Sequence, residues 1–236
     1  MNAILLAAGL GTRLMPITKN TPKCMVKIDD MHLIDIWIKK LFNANIKKIL
    51  INTHYLNEVV KKHIENNHYY KTGRIIVKYE KKLLGTAGTL IKNLNFFDDK
   101  DGILLHADNF TTDNLKKFIK FHKKNIDGFC FSMMSFKTEY PKKSGILKIN
   151  DDKELTNFYE KKNRNYGNKA NCAIYILSHK MLKSINKLKV KDFSTEIIPR
   201  YLNKIKVYET KNFFIDIGDL KSLKKARRFF LKKKNK

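Results

Sequence analysis

Apolar positions along this chain switch repeatedly between two spacings. Ala3–Ala8 is a continuous apolar run of strand length, and Lys48–Asn52 is a second. Between them Leu33, Ile34, Trp37, Ile38 and Leu41 recur at helical spacing, which predicts a helix over His32–Asn43. Asn57 is placed to cap a helix running to Asn66, with Val59, Val60 and Ile64 inward. Ile75–Glu80 alternates as a strand, and Thr86–Lys92 is a short helix opening after Gly85. Gly102–His106 reads as a strand, Thr112–Lys124 as a helix with Asp113 near its start, and Gly128–Ser135 as another strand. Strand–helix alternation with short links predicts a mostly parallel sheet with helices on both faces.

The pattern changes near Phe136. Gly145–Asn150 and Glu154–Glu160 read as short strands around the turn Asn150-Asp151-Asp152. Asn163–Asn168 is polar and reads as a mobile loop. Ala170–Leu177 is an apolar strand, followed by helices near Ser178–Ile185 and Ser194–Leu202. A β-rich insertion at this point suits a lid or a second-substrate platform. Phe213–Ile215 is a further strand. Leu223–Leu231 is a basic amphipathic helix, expected to close over the core and then fray. There is no internal repeat and no hexapeptide periodicity, hence no appended β-helix. The fold expected is α/β: a Rossmann-like, doubly wound, mostly parallel (mixed) sheet with a small β-rich insertion, in one domain over residues 1–236.

Length and composition bound what such a fold does. The chain has 236 residues, 43% of them hydrophobic, enough for a substantial core. No apolar stretch reaches membrane-span length, and the first apolar run is too short and lacks the basic flank of a signal peptide. Cys24, Cys130 and Cys172 are widely spaced, which argues against a disulfide framework or a zinc site and fits a reducing cytoplasm. The net charge of +27 raises nucleic-acid or membrane-surface binding as an alternative. However, the charge is spread along the chain, and six of the 49 basic residues are Arg, the residue favoured for base readout. Attraction for anionic substrates is the reading adopted, with no nucleic-acid partner expected.

The candidate chemistry begins at Ile4–Lys27, ILLAAGLGTRLMPITKNTPKCMVK. An apolar strand empties into Gly9-Leu10-Gly11-Thr12-Arg13, where residues lacking Cβ let backbone N–H groups approach a large anion. Arg13 and Lys23 add positive charge, as a nucleoside triphosphate site requires. The spacing is not that of a P-loop, which has four residues between its glycines and a following Gly-Lys. Nor is it a dinucleotide fingerprint, whose third glycine would fall at Leu14. Asp108 follows the strand Gly102–His106, and Asp216 follows Phe213–Ile215 in a similar position. Carboxylates at strand ends, far apart in sequence, can converge on a Mg²⁺ ion that also binds substrate phosphates.

With these motifs in hand, the chain resembles the sugar-1-phosphate nucleotidylyltransferases. The matches come in family order: the GLGTRL loop, Pro22-Lys23, Leu84-Gly85-Thr86-Ala87-Gly88, Asp108, Glu160-Lys161, Asn171 and Asp216-Ile217-Gly218. They span residues 1 to 226. The resemblance implies a soluble, cytoplasmic, Mg²⁺-dependent enzyme of nucleotide-sugar and polysaccharide biosynthesis, compatible with a homo-oligomer. A sugar 1-phosphate would attack the α-phosphorus of a nucleoside triphosphate and expel pyrophosphate. Residues 1–135 would hold the nucleotide, 136–215 the sugar, and 216–236 a closing helix and basic tail. Leu6, Ala7, Ala8, Gly9, Gly11 and Thr12 would line the nucleotide with Glu80, Gly85 and Thr86. Arg13 and Lys23 would be catalytic, Asp108 and Asp216 would hold the metal, and Asn109, Gly145, Glu160, Lys161 and Asn171 would hold the sugar phosphate.

A carboxylate only accepts hydrogen bonds, and guanine offers N1–H and N2–H₂ together, so Glu80 suits GTP. Leu84–Gly88 resembles the guanylyltransferases of mannose and heptose 1-phosphates. UTP or dTTP with glucose 1-phosphate is the alternative. Cys24, Ala107, Lys162, Cys172-Ala173 and Asp219 depart from the family pattern without removing a proposed catalytic group.

Overall fold

Alternate residues of the central strands point to opposite sides, and both sides are apolar. In a computed structural model describing residues 1–234, Ala3 and Leu5 of β1 (Asn2–Leu6) face one core while Ile4 faces another. A strand buried on both faces reads as a continuous apolar run, which is why the sequence pattern locates these strands. After the hairpin β2 (Lys27–Ile28) and β3 (Met31–His32) come α1 (Leu33–Asn43), β4 (Ile49–Thr53), α2 (Asn57–Glu65), α3 (His68–Lys71) and β5 (Ile75–Tyr79). Then follow α4 (Gly85–Lys92), β6 (Gly102–His106), β7 (Asn109–Thr111), α5 (Leu115–Asn125) and β8 (Phe131–Lys137). The insertion supplies β9 (Gly145–Ile149), β10 (Leu155–Glu160) and β11 (Lys169–Leu177), succeeded by α6 (His179–Ser184), β12 (Ile205–Glu209), β13 (Phe214–Asp216) and α7 (Leu220–Lys234).

One sheet runs in the order β10-β9-β11-β6-β1-β4-β5, with β8 on β11 and β12 on β8. The strands β6, β1, β4 and β5 are parallel, whereas β11 runs antiparallel to β6, β8 and β9. The sheet is thus mixed, as expected. Ile34, Trp37 and Leu41 of α1, Val60 and Ile64 of α2 and Phe118 of α5 cover one face. Leu90 of α4, Met181 of α6 and Phe193 cover the other. Each such side chain contributes about 1.5–3 kcal/mol on full burial. A third cluster joins Leu14, Val26, Ile28 and Ile36 to Phe110, Ile217, Leu223 and Ala226, so α7 closes over the segments flanking the glycine loop.

Several local expectations are corrected. Val59 lies on the outer side of α2 and is 40% exposed; Val60 and Ile64 alone face inward. Asn57 is the first helical residue rather than the cap, and its side chain instead accepts from Thr53 Oγ1. The helix expected from Thr112 starts at Leu115, because Asn109–Thr111 pairs with Phe214–Asp216 and Asn114 caps the helix by accepting from Lys116 N–H. Ser194–Leu202 is not an α-helix. It is a π turn (Phe193–Ile197) followed by a 3₁₀ turn (Ile198–Tyr201), where Pro199 lacks the N–H an α-helix needs. The strand expected from Gly128 begins at Phe131. Strand β12 and the ribbon strand β7 have no counterpart in the sequence pattern. The helix α7 is continuous to Lys234, and the final residues of the basic tail, where fraying was expected, lie outside the described residues.

Candidate active site

The glycine loop leaves the C-terminal end of β1, where an open parallel sheet places its ligands. Gly11 adopts φ 70°, in the left-handed region, and a Cβ there would lie 2.9 Å from Thr18 Cγ2. Thr18 Oγ1 donates to the Gly11 carbonyl at 2.8 Å and locks the turn. Gly9 differs: it is exposed, and a Cβ on it would meet nothing within 4 Å. The fold therefore needs glycine at 11 but not at 9. Ala7 N–H donates to Asn52 Oδ1 at 2.8 Å. Among the described residues, the N–H groups from Ala8 to Gly11 have no hydrogen-bond partner. Leu6 ends β1 ahead of them, and Thr12 and Arg13 follow in an exposed 3₁₀ turn.

Lys23 sits at the centre of the charge arrangement. It is buried, its Nζ hydrogen-bonds Asp108 Oδ2, and it lies 3.8 Å from Asp216 Oδ1. Asp108 follows β6, as expected. Asp216 arrives by a different route: it ends the short ribbon β7–β13, opposite Asn109, rather than a strand of the main sheet. Ile217 N–H donates to the Asp108 carbonyl at 3.0 Å and fixes the two segments side by side. Arg13 completes the group, since a Cβ built on Gly218 would be 3.1 Å from its Nη2.

Desolvation in the cleft pushes the Asp108 carboxyl up, but the adjacent Lys23 ammonium and His106 outweigh it and hold Asp108 below the ordinary carboxylate value. Asp216 is held above that value by desolvation and by the facing Asp108 charge. Two converging carboxylates that need a cation between them are the donor set of a hard divalent ion, and the Lys23 ammonium stands in that role here. The residues therefore fit a metal.

Around the turn after β5, residues expected near the nucleotide also make hydrogen bonds and close contacts within the fold. Glu80 is buried, and its Oε1 accepts from Asn52 Nδ2 (3.0 Å) and Thr89 Oγ1 (2.5 Å) while Oε2 accepts from Leu84 N–H (3.2 Å). Both of its carboxylate oxygens are thus engaged by Asn52, Thr89 and Leu84. Gly85 has φ 78°, and a Cβ on it would lie 2.3 Å from the Lys191 carbonyl oxygen. Thr86 Oγ1 accepts from Phe193 N–H (2.7 Å) and donates to Asp192 (3.3 Å). Asn52 and Thr89 escaped the sequence reading. The available signal was a polar residue inside each of two largely buried elements, Asn52 in β4 and Thr89 in α4.

On the sugar side, Gly145 of β9 pairs directly with Glu160 of β10. A Cβ at Gly145 would come within 2.6 Å of Glu160 Oε2, so only glycine leaves that carboxylate its position. Lys161 Nζ pairs with Glu160 Oε1 at 3.1 Å and is well exposed. Asn171 donates to the Tyr175 hydroxyl (2.6 Å) and accepts from Ala173 N–H (2.8 Å). The strand β11 bulges between Asn171 and Tyr175, and Ala173 there adopts φ 52°. Asn109 is buried, and it donates to the Cys172 carbonyl at 2.6 Å and so ties β11 to the ribbon.

A glycine loop and paired carboxylates at the end of a Rossmann-like sheet define a nucleotide-handling α/β protein. The chain belongs to the nucleotidyl transferase family, whose profile matches residues 2–233. It is 28% identical over 259 residues to a glucose-1-phosphate adenylyltransferase of Clostridium novyi (strain NT), covering 100% of this chain and 68% of that protein. It is 27% identical to the mannose-1-phosphate guanylyltransferase catalytic subunit beta of Drosophila pseudoobscura pseudoobscura (93% of this chain, 59% of that one). The Danio rerio subunit of the same name is also 27% identical (94% and 62%). The chain thus spans about six tenths to two thirds of the length of these curated relatives.

Among solved structures, a Bacillus anthracis protein described as a glucose-1-phosphate thymidylyltransferase, in complex with a sucrose, superposes with a TM-score of 0.86 at 22% identity (97% of this chain, 94% of that chain). HddC from Yersinia pseudotuberculosis, complexed with GMP-PN, gives 0.78 at 21% identity (97% and 99%). Both show the same fold.

Proposed function

We propose that this protein transfers a nucleotidyl group from a nucleoside triphosphate to a sugar 1-phosphate, giving an NDP-sugar and pyrophosphate. The observation that carries this reading is Lys23 held between Asp108 and Asp216 beside a glycine loop with unpaired N–H groups. An oxygen of the sugar phosphate attacks the α-phosphorus; that P–O bond forms as the bond to the β-phosphate oxygen breaks, and pyrophosphate leaves. Little covalent chemistry falls to the protein, so positioning and charge stabilisation dominate.

The backbone from Ala8 to Thr12 receives the phosphates, as N–H nests do for anions. Arg13 and Lys23 offset the charge gathering on pyrophosphate. Glu160 and the Gly145 backbone take sugar hydroxyls, Asn171 shapes the pocket floor, and Lys161 turns from Glu160 toward the sugar phosphate. Asp108 and Asp216 would hold Mg²⁺, which when bound supplies charge neutralisation at the phosphates. The glycine at position 9 supports this reading further, because the fold itself does not ask for it.

GTP with a mannose- or heptose-type 1-phosphate is the pairing we assign. The Leu84–Gly88 turn and the mannose-1-phosphate guanylyltransferases among the relatives support it. Because both Glu80 carboxylate oxygens are engaged, its part is to hold the turn on which the base would rest. The Clostridium adenylyltransferase supports a second reading, in which another nucleotide is joined to glucose 1-phosphate. The test is a pyrophosphate-release panel of GTP, ATP, UTP, dTTP and CTP against mannose, heptose and glucose 1-phosphates with Mg²⁺. Fastest release with GTP and a mannose- or heptose-type acceptor is the expected result. Preference for ATP, UTP or dTTP with glucose 1-phosphate moves the assignment to the second reading, and no release from any pairing overturns both.

A further inference from the structure

Behind the Lys23 segment lies a second cluster of ligand-bearing side chains, unused by the proposed reaction. His32 ends β3, Asp35 lies in the first turn of α1, and His63 is near the end of α2. One ligand atom from each lies within 4.8 Å of the other two. His63 Nε2 is 2.9 Å from both carboxylate oxygens of Asp35, and the two imidazole rings meet edge-on with centroids 4.8 Å apart. In a chain with 49 Lys and Arg, this carboxylate takes an imidazole as its partner.

The orientation of His32 is informative. Its Nδ1 is 2.5 Å from the Met25 carbonyl oxygen. A carbonyl only accepts, so Nδ1 carries the proton, and in the neutral ring Nε2 keeps a free lone pair. An Nδ1–H held by a backbone carbonyl is how metal-binding histidines are aligned, with Nε2 presented to the ion. The His63 and Asp35 side chains are 31% and 27% exposed, so the cluster is partly desolvated yet open to an ion from solvent.

We propose that His32, Asp35 and His63 form a binding site for a transition-metal cation of the Zn²⁺ class, distinct from the Asp108–Asp216 pair and independent of the transferase reading. Two imidazoles and one carboxylate match Zn²⁺ and its first-row neighbours, whereas Mg²⁺ and Ca²⁺ prefer all-oxygen shells. Binding displaces the proton that His63 Nε2 shares with Asp35, which moves to Nδ1 of the same ring or is released to water, and draws the three atoms to bond lengths of about 2.0–2.2 Å, leaving the fourth tetrahedral position to water. The ion would clamp α1 to α2. Through His32 and the Met25 carbonyl it would also pin the 3₁₀ turn Lys23–Met25, where Met25 N–H already donates to the Pro22 carbonyl at 2.8 Å.

The test is titration of the purified full chain, with excess Mg²⁺ present, by Zn²⁺ (calorimetry) and Co²⁺ (visible absorption). Wild type is expected to bind about one equivalent, to melt at a higher temperature when loaded, and to give a Co²⁺ spectrum without sulfur charge-transfer bands. His63→Ala, and separately Asp35→Asn, should weaken binding by at least about tenfold, the scale set by outer-shell partners alone. If either variant fails to fold, the Co²⁺ spectrum of wild type decides the matter through its nitrogen–oxygen signature. Absent binding, binding unchanged in folded His63→Ala, or a thiolate spectrum from Cys24, Cys130 or Cys172 would each overturn the site and leave a plain ion pair between helices.

Discussion

Gly9 and Gly11 are separated by a single leucine, yet they answer to different demands. At Gly11 both the left-handed φ and the packing against Thr18 require a missing Cβ; at Gly9 neither does. Gly11→Ala should therefore destabilise the fold by about 1–2 kcal/mol, the penalty of a left-handed L-residue. Gly9→Ala should leave the urea midpoint unchanged while weakening nucleotide binding severalfold. Equal loss of stability in the two variants would remove glycine 9 from the phosphate site. Ala173 presents the converse case, an L-residue held at φ 52°. Ala173→Gly should raise stability by up to about 1 kcal/mol, since relief of the left-handed strain exceeds the added chain entropy; a lower melting temperature would contradict this. Residue identities at the site were legible in the sequence, but side-chain directions were not. Glu80, Thr86 and Asn109 stand where the pattern places them, yet each bonds a partner distant in sequence: Asn52, Phe193 and Cys172. No local spacing encodes those pairings.

At the scale of elements, legibility followed burial. Strands covered on both faces carry continuous apolar runs, so β1, β4, β6 and β11 could be read directly. Of the ribbon, β13 was readable from Phe213–Ile215, but β7 and its pairing with β13 were not, because a strand of three residues carries no period and the pairing bridges about a hundred residues. That ribbon is what sets Asp216 beside Asp108. Polar junctions between elements are equally hidden. Asp101, before β6, accepts from His179 N–H at the start of α6 (2.9 Å) and faces His122 Nε2 of α5 (3.4 Å). The His122 hydrogen bond outweighs burial and holds the Asp101 carboxyl below its ordinary value. A depressed carboxylate contributes stability that is fully present above the unfolded-state value of about 3.9 and is lost as pH falls through the folded-state value. Asp101→Asn, which keeps an acceptor oxygen but removes the charge, should thus destabilise the protein by about 0.3–1 kcal/mol at pH 7, the scale of a negative charge at a helix N-terminus. The deficit should shrink steadily from about pH 5 downward. Urea unfolding of both proteins across that range checks it, and a pH-independent gap would show that the ionised carboxylate is not the source.

For the molecule as a whole, the sheet, the third core cluster and the charge act together. Packing of Leu14, Val26, Ile217, Leu223 and Ala226 brings the Arg13 loop, the Lys23 turn, the Asp216 ribbon and α7 to one place, although they span most of the chain. The net charge of +27 adds a general attraction for anions over the whole molecule. No helix among the described residues is long and apolar enough to cross a bilayer. Asp108 and Asp216, with Lys23 between them, are what we propose as the reaction centre of a sugar-1-phosphate nucleotidylyltransferase. The most direct test of this assignment is pyrophosphate release by wild type, Asp108→Asn and Asp216→Asn under the best substrate pairing, with circular dichroism confirming each fold. Release is expected to need both substrates and a divalent cation and to fall at least about a hundredfold in each variant, in line with loss of a group that stabilises transition-state charge. Wild-type rates in either folded variant would contradict it.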